Sequence, residues 1–177
     1  MCYTSHSYDR QRTALYGGQK GADMKDVNIY IYTEYSGSMK CGTGKYHVIL
    51  ESYVKTKTGE DPATLKEIKV LEDITRNRLE LMAADNALSH LSKRSRVIIH
   101  TTSEYVTNAF MNGWPEKWER TGYKRKGKDI KHADLWRSIM KKMELHDVTF
   151  MKASTTPYMR AQAIELKNFK EEMNTRC

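Results

Sequence analysis

A chain of 177 residues with 39% hydrophobic, 29% charged and 10% aromatic residues is sized and composed for one soluble domain. No stretch approaches the roughly 18 uncharged apolar residues that a bilayer span requires, and Met1 to Arg12 is polar with no apolar core, so neither a membrane protein nor secretion is indicated. Cys2, Cys41 and Cys177 are odd in number and widely spread, which argues against a disulfide framework and points to free thiols in a reducing, cytoplasmic setting.

In chain order, residues 1–26 hold no sustained period, and Gly17, Gly18 and Gly21 mark a flexible N-terminal extension ahead of a domain at 27–173; residues 174–177 are a C-terminal tail. Val27 to Thr33 alternates in the two-residue period of a strand. Tyr46 to Val54 and Leu65 to Glu72 read as two more, with Thr56 to Pro62 as the turn between them. Leu79, Met82, Ala83 and Leu91 mark one face of a helix from about Asn77 to Ser92. Arg96 to His100 is a short buried strand, and Ser103 to Met111 a helix with Ser103 at its N-cap, which Gly113 and Pro115 interrupt. A helix over Ala133 to Leu145, a strand over Val148 to Met151 and a helix over Pro157 to Met173 complete the order βββαβααβα. Three strands in a meander followed by strands reached through helices imply a five-stranded mixed α/β sheet flanked by helices.

The formal charge is +8, and it is concentrated. From Lys117 to Lys142 ten basic residues face three acids, a net +7 over 26 residues that also contain Trp118, Tyr123 and Trp136, with Trp114 just ahead of them. Cations beside large rings suit a nucleic-acid surface; the alternative is a solvated helix face whose rings pack the core. The six histidines show no paired ligand spacing, and the ten methionines sit mostly at helical spacing.

Four segments carry a resemblance. Ile31 to Ser36 (IYTEYS), Thr75 to Ala83 (TRNRLELMA), Thr101 to Val106 (TTSEYV) and Trp118 to Trp136 (WERTGYKRKGKDIKHADLW) are similar, in this order, to the motifs of the type 1 ribonuclease H family, over roughly residues 27–170. The resemblance implies a ribonuclease H-like fold and cleavage of the RNA strand of RNA/DNA hybrids by two magnesium ions held on four acids. It assigns those positions to Glu34, Glu80, Thr102 and Gln162, so two carboxylates stand where four are normal. Tyr35 replaces a glycine beside the first, and the loop that normally carries a histidine reads Ala153-Ser154-Thr155-Thr156. The resulting expectation is a domain with hydrolysis lost or strongly impaired, needing no cofactor or holding Mg/Mn weakly on Glu80 and Glu34.

For nucleic-acid contact the resemblance points to Lys40 and Gly42 in the first loop, to Thr75, Arg76 and Asn77, and to a basic protrusion with Lys124, Arg125, Lys126, Lys128 and Lys131. Asn77 either makes such a contact or caps the helix, and Gly44 either lies in the contact loop or begins a strand. Two alternatives stand beside hybrid or duplex binding. One is a structural domain docking to a protein partner through the N-terminal extension; the other is an active endonuclease whose site is rearranged around Glu104 and Glu165.

Overall fold

The computed structural model describes residues 24–153 and 158–175, with side chains to residue 169. Expectations for residues 1–23, for the loop at 154–156, for a helix start at Pro157, and for Cys2 and Cys177 lie outside the described residues.

Strands β1 (Lys25–Gly37), β2 (Gly42–Thr56) and β3 (Gly59–Ile74) form the meander, followed by α1 (Arg76–Ser89) and β4 (Ser95–Thr101). Next come α2 (Glu104–Met111), α3 (Trp114–Arg120), a small hairpin of β5 (Lys124–Arg125) and β6 (Lys128–Asp129), α4 (Ala133–Met143), β7 (Asp147–Lys152) and α5 (Met159–Thr175). The main sheet has the order β3-β2-β1-β4-β7. β1 and β2, and β2 and β3, pair antiparallel, whereas β1 with β4 and β4 with β7 pair parallel. This is the expected five-stranded mixed sheet. Among the described residues no helix is long and apolar enough to cross a membrane.

Strand alternation sends Val27, Ile29 and Ile31 of β1 to one face, where they join Leu79, Leu81 and Ala83 of α1, Val106 of α2 and Trp136 and Ile139 of α4 in the core. The opposite face belongs to α5: the Tyr30 ring lies 4.6 Å from that of Tyr158, just ahead of this helix. Tyr30 and Tyr158 both donate their hydroxyls to the buried Glu51 carboxylate, which pushes the Tyr158 phenol up to about 12. Helix α1 sits close on β2 because Gly44 has no side chain; a Cβ there would stand 2.6 Å from Leu79 Cδ2. Gly44 is thus strand backbone under a helix.

Three expectations need correction. The β2–β3 turn is only Lys57 and Thr58, because Gly59 to Pro62, a run of poor strand formers, continues as an edge strand opposite Tyr53 to Thr56. Gly113 and Pro115 do more than interrupt: Gly113 at φ 61° caps α3 and Pro115 lies in its first turn, where a missing N–H costs nothing. Helix α1 is capped by Thr75, whose hydroxyl accepts from the Arg78 N–H at 3.4 Å, so Asn77 is not the cap.

Candidate functional site

One of the four acid positions, Glu80, lies beside the end of β4. Glu80 of α1 is buried and accepts a hydrogen bond from Ser103 Oγ, whose residue directly follows Thr102. Ser103 Oγ also accepts from the Val106 N–H at 3.1 Å, so the N-cap of α2 is what aims this hydroxyl. Burial pushes the Glu80 carboxyl above its ordinary value, opposed by the Ser103 hydroxyl and by the nearby charge of Arg76. Thr102 itself is exposed.

Glu34 approaches from the other face. Opposite it on β2 stands Lys45, whose Nζ is 3.6 Å from the Glu34 carboxylate. The two residues line a cleft of about 480 Å³ with Ala163, Ile164 and Lys167 of α5. The β1–β4 pairing ends at Ile31 opposite Thr101.

Gln162, on α5, is fully buried. Its Nε2 donates to the Tyr30 carbonyl at 3.0 Å and to the His47 carbonyl at 3.0 Å, joining the helix to β1 and β2. His47, also fully buried, places Nε2 3.4 Å from Glu165, which in turn pairs with Lys66 at 2.7 Å. Burial holds the His47 imidazole below its ordinary value, partly offset by the Glu165 charge. Glu104, the acid nearest Thr102 in sequence, pairs with Lys152 of β7. Both acids considered for a rearranged site are thus engaged in ion pairs.

Two magnesium ions demand hard oxygen ligands, chiefly carboxylates converging from several elements. Among the described residues, no three His, Cys, Asp or Glu side chains gather into a possible metal site. The positions assigned by resemblance offer one carboxylate bonded to Ser103, one facing Lys45, an exposed hydroxyl and an amide committed to two carbonyls. This donor set does not fit a pair of divalent ions.

The proposed contact residues fall in two places. Lys40 is exposed in the short β1–β2 turn, with its N–H on Ser38 Oγ at 3.2 Å, while Gly42 already belongs to β2, opposite Gly37. A Cβ at Gly42 would lie 2.4 Å from the Ser36 carbonyl, so that glycine is required by the hairpin itself. Nearby, the Tyr35 hydroxyl donates to the Ser38 and Ile74 carbonyls at 2.6 and 3.1 Å, and Arg76 lies 5.4 Å over the Tyr35 ring. That Arg76–Tyr35 contact was not legible in the sequence, because the two residues meet only when the β1–β2 corner reaches α1. Thr75, Arg76 and Asn77 occupy the start of α1 beside it.

The second place is the β5–β6 hairpin. Lys126 at φ 49° and Gly127 at φ 78° form its two-residue turn, the left-handed pair that a tight hairpin requires. Lys124, Arg125, Lys126, Lys128 and Lys131 are all exposed, and among the described residues none of the five makes an ion pair. The rings of this region do what the core alternative proposed. Trp136 is fully buried, Trp118 5.2 Å from it is half-buried, and Trp114, 6.1 Å from Trp118, is exposed.

A mixed sheet in the order β3-β2-β1-β4-β7 with α1 and α4 on one face, α5 on the other and a basic hairpin between helices defines a ribonuclease H-like domain. The family model for RNase H matches residues 26–155, and the chain belongs to that family. It is similar to a Ribonuclease HI of Synechocystis sp., 36% identical over 124 residues covering 70% of this chain and 73% of that protein. It is also similar to a Ribonuclease H of Chlorobaculum parvum, 38% identical over 131 residues, 72% of this chain and 82% of that one. Among solved structures, LC9-RNase H1, a type 1 RNase H with the type 2 active-site motif, shares the fold with a TM-score of 0.65 at 22% identity, over 78% of this chain and 67% of its own. The PFV RNase H domain does so with a TM-score of 0.61 at 20% identity, over 81% and 92%.

Proposed function

We propose that residues 27–173 form a ribonuclease H-fold domain that binds nucleic acid, an RNA/DNA hybrid or duplex, with metal-dependent hydrolysis lost or strongly impaired. The observation that carries the loss of hydrolysis is the setting of Gln162. Two backbone carbonyls converge on its amide nitrogen in a fully buried site. A carboxylate there would face two acceptors and forfeit both hydrogen bonds, so the surroundings suit an amide donor and not a metal ligand. Glu34 and Glu80 point the same way: Lys45 stands against the first and the charge of Arg76 acts on the second, so each acid has protein cations near it in place of a divalent ion.

Binding is supported by the family's hybrid substrates and by the unpaired cations of the β5–β6 hairpin. Contact with several phosphates releases counterions, so affinity should fall steeply with salt. The test is hybrid binding by fluorescence anisotropy in EDTA between 50 and 200 mM KCl. With about four to five phosphate contacts, the expected loss is on the order of a hundredfold, and added magnesium at matched ionic strength should not strengthen binding. Affinity that needs magnesium, or that is flat with salt, would reject the reading.

A further inference from the structure

Arg137, on α4 within the basic segment, is one of the ten cations that charge counting would hand to phosphate. Its surroundings say otherwise. Its Nη2 donates to the Gly122 carbonyl at 3.1 Å and lies 3.7 Å from Asp129 Oδ1, and the guanidinium carbon stands 5.2 Å over the Tyr123 ring. Gly122 and Tyr123 lead into β5 and Asp129 ends β6, so a single guanidinium reaches both legs of the hairpin.

The corner it touches is conformationally costly. Gly122 at φ 63° and Tyr123 at φ 61° are two successive left-handed residues. Glycine enters that region freely, but a residue with a side chain does so only against steric strain. Tyr123 is kept there by burial of its ring, by its N–H on the Trp118 carbonyl at 2.6 Å and by the Ile130 N–H on its own carbonyl at 2.9 Å. The hairpin beyond has only two residue pairs, Lys124 with Asp129 and Arg125 with Lys128. A two-stranded ribbon that short has no stability of its own, so its direction depends on how its base is anchored.

We propose that Arg137 is a positioning residue: it clamps the base of the β5–β6 hairpin to α4 and thereby sets where Lys124, Arg125, Lys126 and Lys128 meet a nucleic-acid backbone. The inference rests on the binding function proposed above for its consequence, though not for the clamp itself. A lysine would keep the charge and lose the clamp, because one ammonium cannot lie flat on Tyr123 while reaching the Gly122 carbonyl and Asp129 as a planar fork does.

The experiment compares the full chain with Arg137→Lys and Arg137→Gln by two readouts. Without ligand, NMR amide exchange at Tyr123 and Ile130 should speed up by about tenfold or more in both variants, while Ile29 and Ile99 in the core keep their protection. Unchanged exchange at Tyr123 and Ile130 overturns the clamp whatever the binding data show. With a 20-base-pair RNA/DNA hybrid, affinity should fall about five- to tenfold in both variants with the salt slope unchanged. If Arg137→Lys instead binds like the parent while Arg137→Gln weakens and loses about one unit of salt slope, Arg137 is a phosphate contact and the proposal fails. Should the parent chain not bind the hybrid at all, the binding function fails alone and the exchange readout still decides the clamp.

Discussion

Replacing Lys124, Arg125 and Lys126 together with glutamate should lower affinity for an RNA/DNA hybrid by at least about a hundredfold near 0.1 M salt. The three side chains are exposed at the tip of the β5–β6 hairpin, and no ion pair with another described residue occupies them. Each exchange removes a phosphate contact and sets a like charge against the backbone, so the tip swings from triply positive to triply negative. Stability should change little, because surface substitutions away from caps and buried pairs usually stay within about 0.5 kcal/mol each. Anisotropy titration paired with a thermal melt measures both. A folded triple variant that binds as the parent does would place the interface elsewhere on the molecule.

Trp136→Ala should be the most damaging single substitution for the fold. The indole is fully buried, and the rings of Trp118, Tyr105 and Phe110 lie 5.2, 5.9 and 5.9 Å from it. Removing a ring that several elements share leaves a cavity that cannot collapse, at a cost of about 3–5 kcal/mol. The same ring backs Trp118, whose carbonyl receives the Tyr123 N–H at the hairpin base, so nucleic-acid affinity should weaken along with stability. Urea unfolding tests the first point directly. A loss below about 1 kcal/mol would mean that α4 is not the pillar of this side of the core.

Much of this architecture is legible in the sequence, for reasons that also explain what is not. Strand β1 announces itself through Val27, Ile29 and Ile31, and α2 through its Ser103 cap, because alternation and capping are local. Gly59 to Pro62 reads as a turn yet pairs as strand, since nothing local distinguishes an edge strand that tolerates proline from a turn. Helix α3 was hidden by the Gly113–Pro115 pair, which marks a helix end or a helix start with equal force.

The candidate site divides in the same way. Glu80 meets Ser103, the residue after Thr102, because one lies on the helix packed beside the end of β4 and the other caps the helix that follows it. Where Glu34 stands relative to them is set by strand register, which is a tertiary property. The two hydrogen bonds from Gln162 to the Tyr30 and His47 carbonyls span 132 and 115 residues of chain, a relation no periodicity can carry. A lysine opposite Glu34 is readable only once β1 and β2 are aligned.

The central claim, binding without cutting, is tested most directly by incubating an end-labelled RNA/DNA hybrid with the purified chain in magnesium and separately in manganese, with Glu80→Gln prepared identically as the control for contaminating nuclease. The expected result is hybrid that is retained by the protein yet uncut in both metals, by parent and variant alike. Cleavage by the parent that disappears in Glu80→Gln would contradict the account and show that two carboxylates suffice for hydrolysis on this scaffold.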